Sequence, residues 1–177
     1  RNAGQYRQEN VVIAGAEHLP PDYIKVPEAM AGLMDWYRQA TGLDSPYPSP
    51  IIPGYPARHP ASECKSVPDG FVPEEEGTVS MHPVECAARL HVDFVGIHPF
   101  VDGNGRTSRL LMNFELMRRG FLPVIIPVEN RLAYYDALDT AHTRGDYSLF
   151  IELVAVLEQA TLERYLRIVQ GATDTSR

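Results

Sequence analysis

A surplus of basic residues is the first thing this sequence lacks. Its 177 residues carry 16 Lys and Arg against 23 Asp and Glu, a formal charge of −7 at pH 7. A general nucleic-acid binder shows a basic face, so no nucleic-acid partner is expected. Long apolar runs are missing too. None approaches the ~20 residues needed to cross a bilayer, and no secretory leader is visible. No membrane partner is expected, and the cytoplasm is the default compartment. Cysteine is limited to Cys64 and Cys86. Nothing in their spacing argues for a bridge, so they read as free thiols. Three catalytic signatures are also absent. No Gly-Lys-Ser/Thr closes a Walker A loop, no H-E-x-x-H presents a helical zinc pair, and no G-x-S-x-G forms a nucleophile elbow. An initiating methionine is lacking as well, since the chain begins at Arg1. We therefore expect a piece of a longer protein, with any targeting or regulatory segment upstream.

The length fits one domain, residues 1–177. Proline, by contrast, is plentiful and unevenly placed: Pro46, Pro48, Pro50, Pro53, Pro56 and Pro60 crowd one stretch. A residue with fixed φ and no N–H suits neither a helix interior nor a central strand. Residues 41–80 are therefore an insertion or a long loop, which includes the acidic run Glu74-Glu75-Glu76. Two readings stay open for it, a surface insertion or a lid that docks a target.

Elsewhere the pattern is helical. Pro27 suits a helix start, Met30, Leu33, Met34 and Tyr37 recur at helical spacing, and Gly42 suits the end. Pro83 opens a second helix. Val84, Ala88, His91, Val92 and Val95 form one apolar stripe on it, and Ala87, Leu90, Phe94 and Ile97 form another, which predicts a central helix. Leu110, Leu111, Phe114 and Met117 predict a third, buried helix ending at Arg118, Arg119 and Gly120. Residues 130–143 and 147–170 supply two more. Val11-Val12-Ile13 followed by Ala14-Gly15 predicts a hairpin within residues 8–18. The expected fold class is mainly α, a helical bundle with one short β-hairpin.

The run His98-Pro99-Phe100-Val101-Asp102-Gly103-Asn104-Gly105-Arg106-Thr107-Ser108-Arg109 concentrates the chemistry. The apolar run Leu110-Leu111-Met112 follows it, so the turn opens a helix. Backbone N–H groups at a helix start attract an anion, and Gly103 and Gly105 let a phosphate approach closely. His98 titrates near neutrality and suits a general base. Asp102 suits a magnesium ion, which takes one or two carboxylates plus phosphate oxygens. It also suits the turn itself, as aspartate before glycine often does. Arg106 and Arg109 lie three apart, on one side of a helix, where their forks match phosphate oxygens. Gly103, Asn104 and Gly105 would cradle phosphates by backbone N–H and by the Asn104 amide. Tyr134 and Tyr135 offer rings for a base, or pack in the core.

This run resembles the signature of the Fic family, H-P-F-x-[D/E]-G-N-[G/K]-R, at every position, and Arg109 supplies the second arginine. The likeness extends further. Gly4-Gln5-Tyr6-Arg7 is similar to the family's G-x-[FY]-R lead-in, Val11 to Gly15 to its flap, and Met81-His82-Pro83-Val84-Glu85 to the start of the helix before the signature. Only residues 41–80 lack a counterpart. The resemblance implies a helical domain with a hairpin flap that carries out protein AMPylation. AMP would pass from ATP·Mg²⁺ to a Ser, Thr or Tyr hydroxyl of a target protein, or of the chain itself, with release of pyrophosphate. In that scheme His98 deprotonates the hydroxyl, Asp102 holds Mg²⁺, Arg106 meets the β-phosphate region and Arg109 the γ-phosphate. The flap residues Val11, Val12, Ile13, Ala14 and Gly15 would hold the target by strand-like pairing. His142 stands where the family often has an adenine-reading asparagine. A homodimer is compatible with the family, although no residue compels it.

Many such enzymes are restrained by a helix bearing [S/T]-x-x-x-E-[G/N]. No segment here qualifies: Gln5 occupies the Ser/Thr position before Glu9-Asn10, and Leu153 follows Ser148 to Glu152. The variant this chain most resembles keeps that helix upstream of the lead-in, so the fragment is expected to be unrestrained, or inhibited only by a separate polypeptide. Two alternatives remain. One is transfer of UMP, phosphocholine or phosphate; kinase-like relatives carry Lys where this chain has Gly105. The other is a nucleotide-binding or interaction module without turnover.

Overall fold

The computed structural model describes residues 4–42 and 81–174, with side chains to residue 171. The expectations for the proline-rich stretch, the acidic run and Cys64 lie outside the described residues. A short 3₁₀ turn, Tyr23–Lys25, is capped by Asp22, which accepts from the Ile24 N–H at 3.0 Å. It feeds α1 (Val26–Thr41), which starts with Pro27 and stops at Gly42 in the left-handed region at φ 63°. Helix α2 (Pro83–Ile97) starts at His82, whose Nδ1 accepts from the Val84 N–H at 3.3 Å. Helix α3 (Asn104–Arg118), a 3₁₀ turn (Val128–Asn130), and helices α4 (Arg131–Arg144) and α5 (Ser148–Asp174) follow.

Helix α2 is central, as its two stripes predict, and packs against the four other α-helices among the described residues. One face meets Met112 and Leu116 of α3, Ala137 and Leu138 of α4, and Phe150 and Val154 of α5. Its other face, Cys86, Leu90 and Phe94, packs on Leu33 and Tyr37 of α1. Cys86 is a buried free thiol, and burial raises its pKa to about 11.

Two expectations need correction. Helix α3 does not bury Leu110, Phe114 and Met117, which are 70%, 57% and 59% exposed. It buries Asn104, Ser108, Met112, Glu115 and Leu116 instead. Polar side chains can go inside when every one has a partner. The Glu115 carboxylate accepts from Tyr37, Arg118 and Arg119. Hydrogen bonding, rather than apolar periodicity, therefore sets the rotation of this helix.

The second correction concerns the hairpin. Ile13 to Ala16 form a turn, with the Ala16 N–H donating to the Ile13 carbonyl at 3.2 Å, but no strand occurs among the described residues. A lone two-stranded ribbon is marginal in water, and a single turn bond does not carry a ladder.

Candidate active site

Helix α2 ends at His98 in the left-handed region (φ 51°, ψ 57°), the one non-glycine residue with positive φ among the described residues. That conformation crowds Cβ against the backbone, so it needs support. The His98 N–H donates to the Phe94 carbonyl at 3.2 Å. Arg7 holds the other side. Its Nε donates to the His98 carbonyl at 2.9 Å, and its backbone N–H donates to the Pro99 carbonyl at 2.9 Å. The guanidinium spends further donors on the carbonyls of Glu9, at 2.8 Å, and Pro21. Arg7 is buried, which lowers its pKa, while nearby Asp22 opposes the shift. The lead-in arginine is thus a structural clamp on the histidine ninety-one positions away. Nothing in local spacing reveals this.

The His98 imidazole is half-buried, and its Nδ1 lies 3.3 Å from the Val95 carbonyl. A carbonyl only accepts, so Nδ1 carries the proton and Nε2 keeps its lone pair. Burial lowers the His98 pKa. The Val95 bond opposes that shift and Arg7 adds to it. The ring is neutral at pH 7, in the tautomer a general base requires.

The turn that follows is built by Asn104. Its Oδ1 accepts from the Phe100 N–H at 2.9 Å, and its Nδ2 donates to the Phe100 carbonyl at 2.8 Å. Asn104 is 2% exposed. Its amide is therefore committed to shaping the loop and does not project toward a phosphate, contrary to the sequence expectation. Its backbone is another matter. Gly103 sits at the N-cap with φ 87°, no side chain among the described residues caps α3, and the first N–H groups of the helix have no helical acceptors.

Asp102 is exposed at the rim. Its Oδ1 accepts from the Gly103 N–H at 2.6 Å, and its Oδ2 pairs with Arg106 Nη2 at 3.0 Å. Arg109 folds back over the turn, its Nη1 3.7 Å from where a Cβ on Gly105 would sit. Its charge also acts on Tyr134, where it opposes the rise in pKa that burial causes.

The three base-reading candidates separate. The Tyr134 ring is 7% exposed and packs edge-on against His91 and beside Phe150. Tyr135 is exposed, with Arg131 over its ring at 5.6 Å. His142 lines a cavity of about 550 Å³ between α1, α2 and α4, together with His18, Trp36 and Tyr147. Its Nε2 donates to the Val92 carbonyl at 2.9 Å, and its ring lies against His18 with centroids 4.4 Å apart. Gly96 makes room for it, since a Cβ there would lie 2.7 Å from His142 Nε2.

A neutral imidazole at the start of a turn, a helix start that no described side chain caps, and two cations on that helix make an arrangement suited to phosphate esters. The comparisons with known proteins narrow that reading. The Fic/DOC family model matches residues 56–116. Protein adenylyltransferase fic-1 of Caenorhabditis elegans is 40% identical over 126 residues, 71% of this chain and 23% of that protein. Protein adenylyltransferase Fic of Drosophila willistoni is 37% identical over 163 residues, 92% of this chain and 25% of its own length. The solved structure of C. elegans Fic-1 residues 134–508 superposes with a TM-score of 0.63 at 33% identity, covering 99% of this chain and 39% of that one. The chain belongs to the Fic/DOC family. It spans a quarter or less of the length of these two curated relatives.

Proposed function

We propose that this domain transfers AMP from ATP to a Ser, Thr or Tyr hydroxyl of a protein, itself included. The observation that carries the reading is the neutral His98 ring, its Nδ1 committed to the Val95 carbonyl and its Nε2 without a hydrogen-bond partner among the described residues, at the start of the turn that leads into α3. The hydroxyl proton passes to Nε2 as its oxygen bonds to the α-phosphorus. The bond from that phosphorus to the bridging oxygen breaks, and pyrophosphate leaves. Backbone N–H groups at the start of α3 bind phosphate oxygens, and Arg106 and Arg109 neutralise the charge on the leaving group. Arg106 exchanges its pairing with Asp102 for phosphate.

The donor set fits magnesium. Asp102 is a single exposed carboxylate, and no group of three or more metal-ligating side chains occurs among the described residues. An ion here needs phosphate oxygens to complete its shell, which is magnesium's habit. Asp102 would hold Mg²⁺, and the bound cation would offset charge on the β- and γ-phosphates. Tyr135 and His142 are the base-side candidates. The segment from Val11 to Gly15, with Val12 exposed, would hold a target segment.

ATP labelled at the α- or at the γ-phosphorus, incubated with Mg²⁺ and the domain alone or with cell extract, tests the reading. Protein label from the α-position only is expected. Label from the γ-position would make the domain a kinase-like transferase. Label from neither, with ATP bound, would make it a binding module. The pH profile is a second check. The base acts when neutral, so activity is lost as pH falls through the His98 pKa. That pKa is depressed, so kcat/KM is expected to hold steady from pH 8 to below the ordinary histidine value of about 6.5 and to fall only beneath it. An acid limb centred above that value would contradict this environment for His98.

A further inference from the structure

Helix α2 carries an imidazole that the reaction leaves unused. His91 is fully buried and stacks on Phe150 with ring centroids 4.8 Å apart. Its Nδ1 has no hydrogen-bond partner among the described residues. Its Nε2 lies 3.1 Å from Ser108 Oγ and 3.4 Å from the Tyr134 hydroxyl. A core selected only for packing would put an apolar ring on Phe150 and avoid an orphan nitrogen. What the imidazole gains is two hydroxyls from two other helices.

Both hydroxyls adjoin one residue. Ser108 is the neighbour of Arg109 on α3, and its Oγ also donates to the Gly105 carbonyl at 3.2 Å in the phosphate turn. Tyr134, on α4, is close enough to Arg109 for the guanidinium to oppose the rise in its pKa that burial causes. An exposed arginine on its own samples many rotamers, and ordering it on binding costs affinity. We propose that His91 is a positioning residue: through Ser108 it fixes the backbone that carries Arg109, and through Tyr134 it fixes the direction of the guanidinium. The arrangement rests on the reading of Arg109 as the γ-phosphate group. Burial holds the His91 pKa down at about 3, so the ring stays neutral and adds no repulsion to the arginine.

The test compares Mg²⁺·ATP with Mg²⁺·ADP, which lacks the γ-phosphate, by calorimetric titration of the whole domain. Arg109→Ala is expected to abolish the preference for ATP. Tyr134→Phe keeps the ring and removes only the hydroxyl. It is expected to weaken ATP about threefold to tenfold and to leave ADP unchanged, the size of one lost hydrogen bond. His91→Leu should do the same, with His91→Gln recovering part of the loss. Tyr134→Phe added to Arg109→Ala should have no further effect on ATP. A merely structural histidine would shift both nucleotides together. The inference is overturned if Tyr134→Phe and His91→Leu leave the ATP-to-ADP ratio as in the wild type while Arg109→Ala removes the preference. If Arg109→Ala leaves the ratio intact, the inference falls together with the γ-phosphate reading beneath it.

Discussion

Replacing His98 with asparagine is expected to lower AMP transfer about 10²- to 10⁴-fold, the usual contribution of a positioned general base. Asparagine is the informative choice because position 98 is left-handed, at φ 51°, and asparagine tolerates that region better than most residues. The melting temperature should therefore stay close to that of the wild type while turnover collapses. ATP affinity should change little, because the groups proposed to bind phosphate lie beyond the histidine, on the turn and on α3. A large loss of kcat with an unchanged nucleotide Kd is the expected signature. A parallel loss of ATP binding would assign His98 to binding rather than to proton transfer.

The largest effect on stability is expected at Glu115. This carboxylate is 0% exposed and accepts from Tyr37 on α1 at 2.5 Å, from Arg118 at 2.8 and 2.9 Å, and from Arg119 at 3.3 Å. Arg119 also donates to the Thr41 carbonyl at 3.2 Å, so the cluster bolts the end of α1 to α3. Tyr37 is held in its neutral form, because burial and the adjacent carboxylate push its pKa far up. Glu115→Ala would strand two guanidinium groups and a phenol at a buried junction. Breaking such a pair costs about 3–5 kcal/mol, which for a chain of this size is roughly 10 °C in Tm. Urea unfolding of the two proteins measures it. A loss below about 1 kcal/mol would show the cluster to be wet and loosely held, as exposed ion pairs are.

How much was legible in the sequence follows from which forces act locally. Helix ends were readable because caps are chemical: Pro27 and Gly42 bound α1, and His82-Pro83 opens α2. The central place of α2 was readable from its two stripes, since a helix apolar on opposite sides has neighbours on both. The face of α3 was not. Its apolar residues at 110, 114 and 117 point outward because Glu115 and Ser108 find partners on α1 and α2, and no periodicity encodes a partner. The site divides the same way. His98, Asp102, Gly103, Arg106 and Arg109 were visible as a contiguous run. Arg7 and His91 act on that run from distant positions, through a carbonyl and two hydroxyls, and only the fold brings them there. Asn104 was found in the right place with the wrong task, because its amide closes the loop on Phe100.

The most direct test of the central claim is mass spectrometry of the domain and its protein targets after incubation with ATP and Mg²⁺, for the wild type beside His98→Asn. The account predicts a mass gain of one AMP on a Ser, Thr or Tyr side chain with the wild type and none with the variant. A gain of a bare phosphate, or an AMP adduct formed equally well by His98→Asn, would contradict it.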